Sequence, residues 1–570
     1  MALHKSSVHV FSGIDYVLFV LVLIISFLVG LYYGIWSKNK PTTPQEYFLG
    51  NRNMGIFPVA ISLLVTFVSG INLIAVSSDV YAHGTLHWLY AVSNFVMVIA
   101  SSFIFLPVFY ELRLPSSFSY LELRFGRKVQ LLASFIYLVG TSCLVAVILY
   151  IPSLVINHAA GLSTALTTIV LGLICIFYTA VGGFRAVIWA DLFQAILMFG
   201  SSIGIVCVGL GLVGGFGEIW AAAERGGRLI YSNFNPDPTI RLTTWTFVIG
   251  HSFHITQQFG LNQQSVQRCL SVSNLTKARI ILFLFYLGQM FFVAFSIIAA
   301  LLVYAYYETC DPLSSGMIQK LDQLMGNFVF EMSEHYPGLS GLFIAGLIAS
   351  TLSTMSSCLN SSTVCLYEDF IKPILPQMSQ KTSCNLLKLF TLLLGCLQIV
   401  LVFVVEKLGT AYVILITVTG LTNGAMLGLF TMGMLVSKAN QTGAIAGTIS
   451  AIFGSAVLVI GGLSKKPDPH LPMRTDGCYF NFTISTNTLL STTSDQNADL
   501  PWIFRISFMY YCLIGFMIVF LVGYPVSLLT GGNELKDKRL LAPFMRKYLS
   551  TTTTKFEPEE MNPLSRLEDN

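Results

Sequence analysis

The chain has 570 residues, of which 54% are apolar and only 11% charged, and its mean hydropathy is +0.71. A soluble domain carries roughly 25% charged residues, so this composition excludes a soluble globular protein and reads as a polytopic membrane protein held in a lipid bilayer. The net charge of +4 says little about partners, because the charges fall in connections and tail, and no nucleic-acid partner is expected.

The first apolar run, Tyr16 to Trp36, is long enough to span and has no small-residue cleavage site behind it, so no cleavable leader is expected. Thirteen spans follow from hydropathy and its breaks: about 14–36, 55–80, 87–110, 128–156, 161–182, 188–214, 242–260, 279–306, 337–367, 386–405, 409–436, 442–463 and 504–530. An odd number puts the termini on opposite sides. Alternate connections carry Lys38, Lys40 and Arg52; Arg113, Arg124, Arg127 and Lys128; Arg185; Arg268, Lys277 and Arg279; and Lys372, Lys381 and Lys388. The positive-inside rule makes these connections cytoplasmic, together with the tail and its Lys536, Lys538 and Arg539. The N-terminus, 1–13, is thus expected outside and the C-terminus inside, with the membrane core over 14–530. The sequon Asn481-Phe-Thr483 falls in the long outer loop 464–503 and is the expected glycosylation site. Cys310 and Cys478 lie in two different outer loops, where oxidation is permitted, and are a candidate disulfide. The tail 531–570 is polar and is expected to be disordered, with no apolar face to bury.

Few catalytic signatures are present. The eleven cysteines are scattered without CxxC or Cys/His metal spacing. Neither GxxxxGK[ST] nor HExxH occurs, so the chain has no ATP-binding P-loop of its own. GSSIG at 200–204 matches the GxSxG nucleophile pattern but lies inside an apolar helical run, not on a strand-to-helix turn, and reads as helix packing. An enzyme is not expected, nor an organic cofactor.

The span at 337–367 is different in kind. It holds no Asp, Glu, Lys, Arg or His, yet Ser350, Ser353, Thr354, Ser357 and Ser361 recur at i, i+3, i+4, i+7 and i+11, one face of a helix. Such a stripe cannot usefully face lipid. It reads either as close helix packing or as a site for a small hard cation such as Na+, which hydroxyl and carbonyl oxygens suit.

Two other spans are interrupted. The one at 55–80 has Ser69-Gly70 near its middle, followed by Asn72; the one at 242–260 has Gly250, His251, His254, Gln257 and Gln258. Interruption frees backbone carbonyls, which is tolerated only where they line a cavity or bind something. If the first span is peripheral, these two open five-helix units at about 55–214 and 242–436, and matched interruptions point to a transporter built from inverted repeats. Asp191, near the start of its span, is a functional candidate by default; the alternative is an ion pair or cap with Arg185 or a neighbour.

Four blocks carry a resemblance: FYTAVGGFRAVIWADLFQ (177–194), FGLNQQSVQR (259–268), TCDPL (309–313) and GLFIAGLIASTLSTMSSCLNSSTVCLYEDFIKP (341–373). Together they resemble the sodium/solute symporter family, in the branch of the iodide, monocarboxylate and multivitamin cotransporters, over about 14–463. The resemblance implies an all-α membrane fold of the LeuT kind, with five-plus-five inverted repeats and about thirteen transmembrane helices. Carried over by position, it implies a sodium site from the carbonyls of Val65 and Val68 with Ser350 and the hydroxyls of Ser353 and Thr354. It further implies Thr66, Asp191, Gln194 and Gln263 as polar groups for sodium binding or inward release. Substrate or a second sodium would sit near Ser69 and Asn72.

The chain departs from the iodide-type pattern, with Asn72 where a Gln is usual and Leu144 where a Tyr is usual, which argues against iodide. His251 and His254 replace smaller or apolar residues of the branch and are expected to line the substrate pocket or to confer pH sensitivity. The expected activity is import of a small organic anion, a monocarboxylate or an acid vitamin, across the plasma membrane with Na+ as the co-transported ion. The alternatives are a non-transporting sensor or channel-like protein of the same fold, or a symporter for iodide or a neutral solute. Oligomeric state and sodium stoichiometry are open.

Overall fold

The computed structural model of the protein describes residues 12–36, 43–68, 70–407, 411–466, 468–478, 499–532, 535 and 537–548. Among them every regular element is helical. The elements that position the site are α1 (Gly13–Leu31), α2 (Ile56–Phe67), α3 (Gly70–His83), α4 (Thr85–Leu112), α5 (Arg127–Ala160) and α6 (Thr164–Val213). They continue with α7 (Gln263–Leu270), α8 (Leu275–Tyr306), α9 (Leu339–Cys365), α10 (Gln380–Lys407), α11 (Ala411–Leu435), α12 (Gln441–Gly462) and α13 (Tyr511–Leu529).

Each of the thirteen expected spans falls on helix. By length and apolarity alone, nine of the described helices could cross a bilayer, or ten if the bent pair Pro44–Arg52 and Ile56–Phe67 counts as one. The difference has local causes. α6 runs for 50 residues, about 75 Å at 1.5 Å per residue, more than twice the ~30 Å hydrocarbon core. It turns back at Gly183, whose φ of 60° and ψ of −158° are non-helical, so one element covers the two spans expected at 161–182 and 188–214. The second and seventh spans are each broken into shorter pieces.

α9 is the centre of the molecule. Within its most apolar stretch 94% of the residues are buried in protein, against 28–56% for the other membrane-length helices. It packs on α6, α5, α1, α10 and α2. Small residues permit the close approach: a Cβ on Gly346 would lie 2.1 Å from Ser201 Oγ, and one on Gly341 would meet the backbone of Asp15 at 2.5 Å. Asp15 has two roles there. With Ser12 it forms the capping box of α1, and its Oδ1 accepts the backbone N–H of Gly341 at 2.7 Å.

Three expectations are corrected. The tail is not polar chain throughout: Leu540, Leu541 and Ala542 are buried, Tyr120 Oη donates to the carbonyl of Leu540 (3.0 Å) and Ala542 N to that of Met434. Three residues are too short for periodicity to register. Arg268 is no loop charge but is 2% exposed inside the protein. Arg124, also counted as a loop charge, is buried and donates to the carbonyls of Gly433, Val436, Ser437 and Ala439. Cys310 and Cys478 are bonded, their Cα atoms 5.0 Å apart. Asn481 and most of the loop around it lie outside the described residues.

Candidate functional site

α2 ends at Phe67, and Val68 leaves the helix with φ −84° and ψ 90°, its N–H still bonded to Leu64 O at 2.8 Å. α3 restarts at Gly70; Ser69 between them lies outside the described residues, as does the side chain of Asn72. A helix end leaves its last carbonyls without intrahelical donors, and here that end lies in the protein interior against α9. Thr354 Oγ1 donates to the carbonyl of Thr66 at 2.9 Å or to that of Ser350 at 3.0 Å. Thr66 Oγ1 in turn donates to Ser62 O (2.7 Å) and lies 2.9 Å from Ser357 Oγ. Ser353, Thr354, Ser357 and Ser361 of the stripe reach other elements, and Ser350 donates to Leu347 O. The carbonyl that Thr354 touches is that of Thr66, between Val65 and Val68.

Behind the stripe lies a charged cluster. Asp191 of α6 is fully buried and accepts from Ser353 Oγ at Oδ1 (2.7 Å) and from Ser62 Oγ at Oδ2 (2.5 Å). Its ion-pair partner is Arg268 of α7, 3.2 Å from Oδ2, rather than Arg185. Arg268 also donates to Ser62 Oγ (2.9 Å), Ser357 Oγ (2.5 Å) and the carbonyl of Gln264 (3.3 Å). Four elements, α2, α6, α7 and α9, thus meet on one carboxylate and one guanidinium. Gln194, one turn beyond Asp191, is fully buried with neither amide atom partnered. Gln263 is elsewhere engaged: its Oε1 accepts from Ser117 N at 2.7 Å, so it braces the connection ahead of α5 rather than joining this cluster.

The seventh span is a run of short irregular helical turns over 246–261 that breaks at Asn262 (ψ 137°), where α7 begins. Between the two breaks is a cavity of about 340 Å³, in the size range of a small-molecule site. Thr66 and Thr354 are in its wall, and so are Leu144, His251 and His254. The cavity therefore joins the expected pocket residues that are described to two of the residues expected for sodium, Thr66 and Thr354. Among the described residues no Lys or Arg lines it. Asn423 of α11 holds His254 and Gln258 from outside the wall, its Nδ2 lying 3.3 Å from His254 Nδ1 and 3.4 Å from Gln258 Oε1. Tyr90 packs on His251 with ring centroids 4.3 Å apart.

Reasoning from the sequence missed Arg268, Ser62, Asn94, Gln264, Gln289 and Asn423. Gln289 and Ser296 stand seven residues apart on one face of the otherwise apolar α8, which was a usable signal. Arg268 was masked by its place in a basic connection.

The sequence profile of the family described as "Sodium:solute symporter family" matches residues 47–451. The chain is 33% identical to sodium-coupled monocarboxylate transporter 1 of Homo sapiens over 541 residues, 91% of this chain and 88% of that one. It is 34% identical to the sodium-dependent multivitamin transporter of Oryctolagus cuniculus over 550 residues, covering 95% and 86%. Among solved structures it is similar to a Na+-coupled sialic acid symporter in a substrate-bound outward-open state, with a TM-score of 0.72, 22% identity, and coverage of 92% of this chain and 100% of that one.

Proposed function

The chain belongs to the sodium:solute symporter family, and from that membership we propose that it imports a small organic anion, a monocarboxylate or an acid vitamin such as biotin or pantothenate, together with Na+ across the plasma membrane. Its fold is the all-helical LeuT-like one, it crosses the membrane several times, and its class of work is sodium-coupled symport.

One observation carries the reading: the hydroxyl of Thr354 spans from α9 to the carbonyl of Thr66 at the end of α2, in the wall of the same cavity that His251 and His254 line. A Na+ ion held by the carbonyls of Val65 and Val68, with Ser350, Ser353 and Thr354, would tie those same two helices. Substrate then sits beside the ion, between the two broken helices, and the N-terminal end of α3 favours an anion through its dipole without a full positive charge. Coupling requires that the ion bind one conformation more tightly than the other, since equal affinity shifts nothing. Asp191 lies directly behind Ser353 and supplies the carboxylate toward which sodium is drawn on its inward path, with Gln194 next to it. In this reading the two repeats run over about 55–214 and 242–436, with the N-terminus and the loop 464–503 outside and the tail inside. The bonded Cys310 and Cys478 support an oxidising side for that loop.

The test is uptake of lactate, butyrate, nicotinate, biotin, pantothenate, iodide and glucose into proteoliposomes with and without a sodium gradient, for the native chain and Thr354→Ala. One anion accumulates only with sodium, and the variant loses at least ten-fold of the coupled uptake. Sodium current without accumulation of any solute would replace symport by a channel-like activity, and preference for glucose would overturn the anion assignment.

A further inference from the structure

A carboxylate entering the cavity needs donors, and the wall has few to spare. Among the described residues no charged side chain lines it, and much of its polar lining already donates within the protein. Thr66 Oγ1 donates to Ser62 O, Ser296 Oγ to Phe292 O, Asn94 Nδ2 to Tyr90 O, and Thr354 Oγ1 to Thr66 O or Ser350 O. Two side chains of the seventh span differ. His254 and Gln258 line the cavity, and each is only partly buried. Neither His254 Nε2 nor Gln258 Nε2 has a hydrogen-bond partner among the described residues. Residues four apart share one face of a helical turn.

Asn423 decides which ends of those two side chains are left free. Thr422 Oγ1 donates to Asn423 Oδ1 at 3.5 Å, so the amide turns Nδ2 toward the seventh span, 3.3 Å from His254 Nδ1 and 3.4 Å from Gln258 Oε1. An amide nitrogen donates and does not accept. His254 Nδ1 and Gln258 Oε1 are therefore the acceptors, and the proton of the neutral ring sits on Nε2. Both free ends are then donors.

We propose that His254 Nε2–H and Gln258 Nε2–H form an uncharged fork for the two oxygens of the solute's carboxylate, and that Asn423 is the residue that positions it. This rests on the symport reading above and names the groups that hold its anion. Hydrogen bonds to a charged group are roughly twice as strong as neutral ones. Two such donors can therefore hold a carboxylate without a lysine or arginine, whose own burial at membrane depth is expensive.

The experiment measures KM and maximal rate for sodium-driven uptake of lactate, nicotinate and biotin into proteoliposomes. His254→Leu raises KM for the acid that accumulates by ~10-fold or more and changes the maximal rate far less, and His254→Gln, which returns an N–H, recovers most of the loss. Asn423→Leu raises KM in the native chain but adds little once His254 and Gln258 are both replaced by leucine, because it acts through them. An unchanged KM in His254→Leu, or an Asn423→Leu effect undiminished in that double variant, would overturn this inference and leave symport intact. A misfolded variant does not decide the outcome, because the native ring is read directly. Nitrogen NMR of isotope-labelled histidine in lipid, with the His254 signal assigned by its loss in His254→Gln, shows the proton on Nε2; a proton on Nδ1 would overturn the inference. Failure of every acid to accumulate with sodium would overturn the symport reading itself.

Discussion

Asp191 and Arg268 show how one pair can hold four helices. Both are buried, and each hydroxyl around them, Ser62, Ser353 and Ser357, already donates or accepts within the cluster. Breaking a buried pair by removing one member is costly, ~3–5 kcal/mol, because the other charge is left uncompensated, whereas removing both together costs far less. Arg268→Gln is therefore expected to lower thermal stability in detergent sharply, and Asp191→Asn introduced with it to restore most of the loss. Additive effects in that double-mutant cycle would mean that the two charges do not interact. The hydroxyl stripe was legible because period 3.6 survives in any sequence. The guanidinium that faces it was not, because a basic residue at the end of a span reads as a cytoplasmic anchor until a carboxylate from a helix 77 residues away is seen beside it.

At the scale of elements, turns and breaks carry the architecture. Gly183 sits at φ 60° and ψ −158°, a region open essentially to glycine alone, and a Cβ there would lie 3.0 Å from the ring of Tyr47. Gly183→Ala is expected to cost ~1–3 kcal/mol in backbone strain. Gly200→Ala, in regular helix with nothing within 4 Å of the new Cβ, is expected to be neutral or to gain about 0.5–1 kcal/mol. A lower melting temperature for the first variant and not the second checks this; equal values would mean that the chain turns elsewhere. The sequence placed interruptions in the second and seventh spans because Gly, Ser, His and Gln stand out at mid-depth. It could not say how the polar residues around them are shared out. Gln263 and Gln264 are neighbours, yet one braces the connection ahead of α5 and the other lines the cavity, a separation set by the 100° step of a helix whose direction only the fold fixes.

For the molecule as a whole, the described part of the tail acts as a clasp under the helix ends. Leu541 is 1% exposed, the carbonyl of Leu540 accepts from Tyr120 in the helix Ser119–Phe125, and Ala542 N reaches Met434 at the end of α11. Arg546 adds an ion pair to Glu111 of α4 at 2.8 Å. The clasp thus joins α4, the connection before α5, and α11, which are far apart in sequence. Which of its contacts holds it can be decided by magnitude. Full burial of a leucine side chain is worth ~1.5–3 kcal/mol, and a carboxylate in its place adds the cost of an unpaired buried charge. An ion pair as exposed as that of Arg546 is worth ~0–1 kcal/mol. Leu541→Asp is therefore expected to lower the melting temperature in detergent by a few degrees and to open the tail to limited proteolysis after Thr530, while Arg546→Ala does neither measurably. The reverse ranking would make the clasp electrostatic, and it would then loosen in high salt, where an apolar anchor would hold.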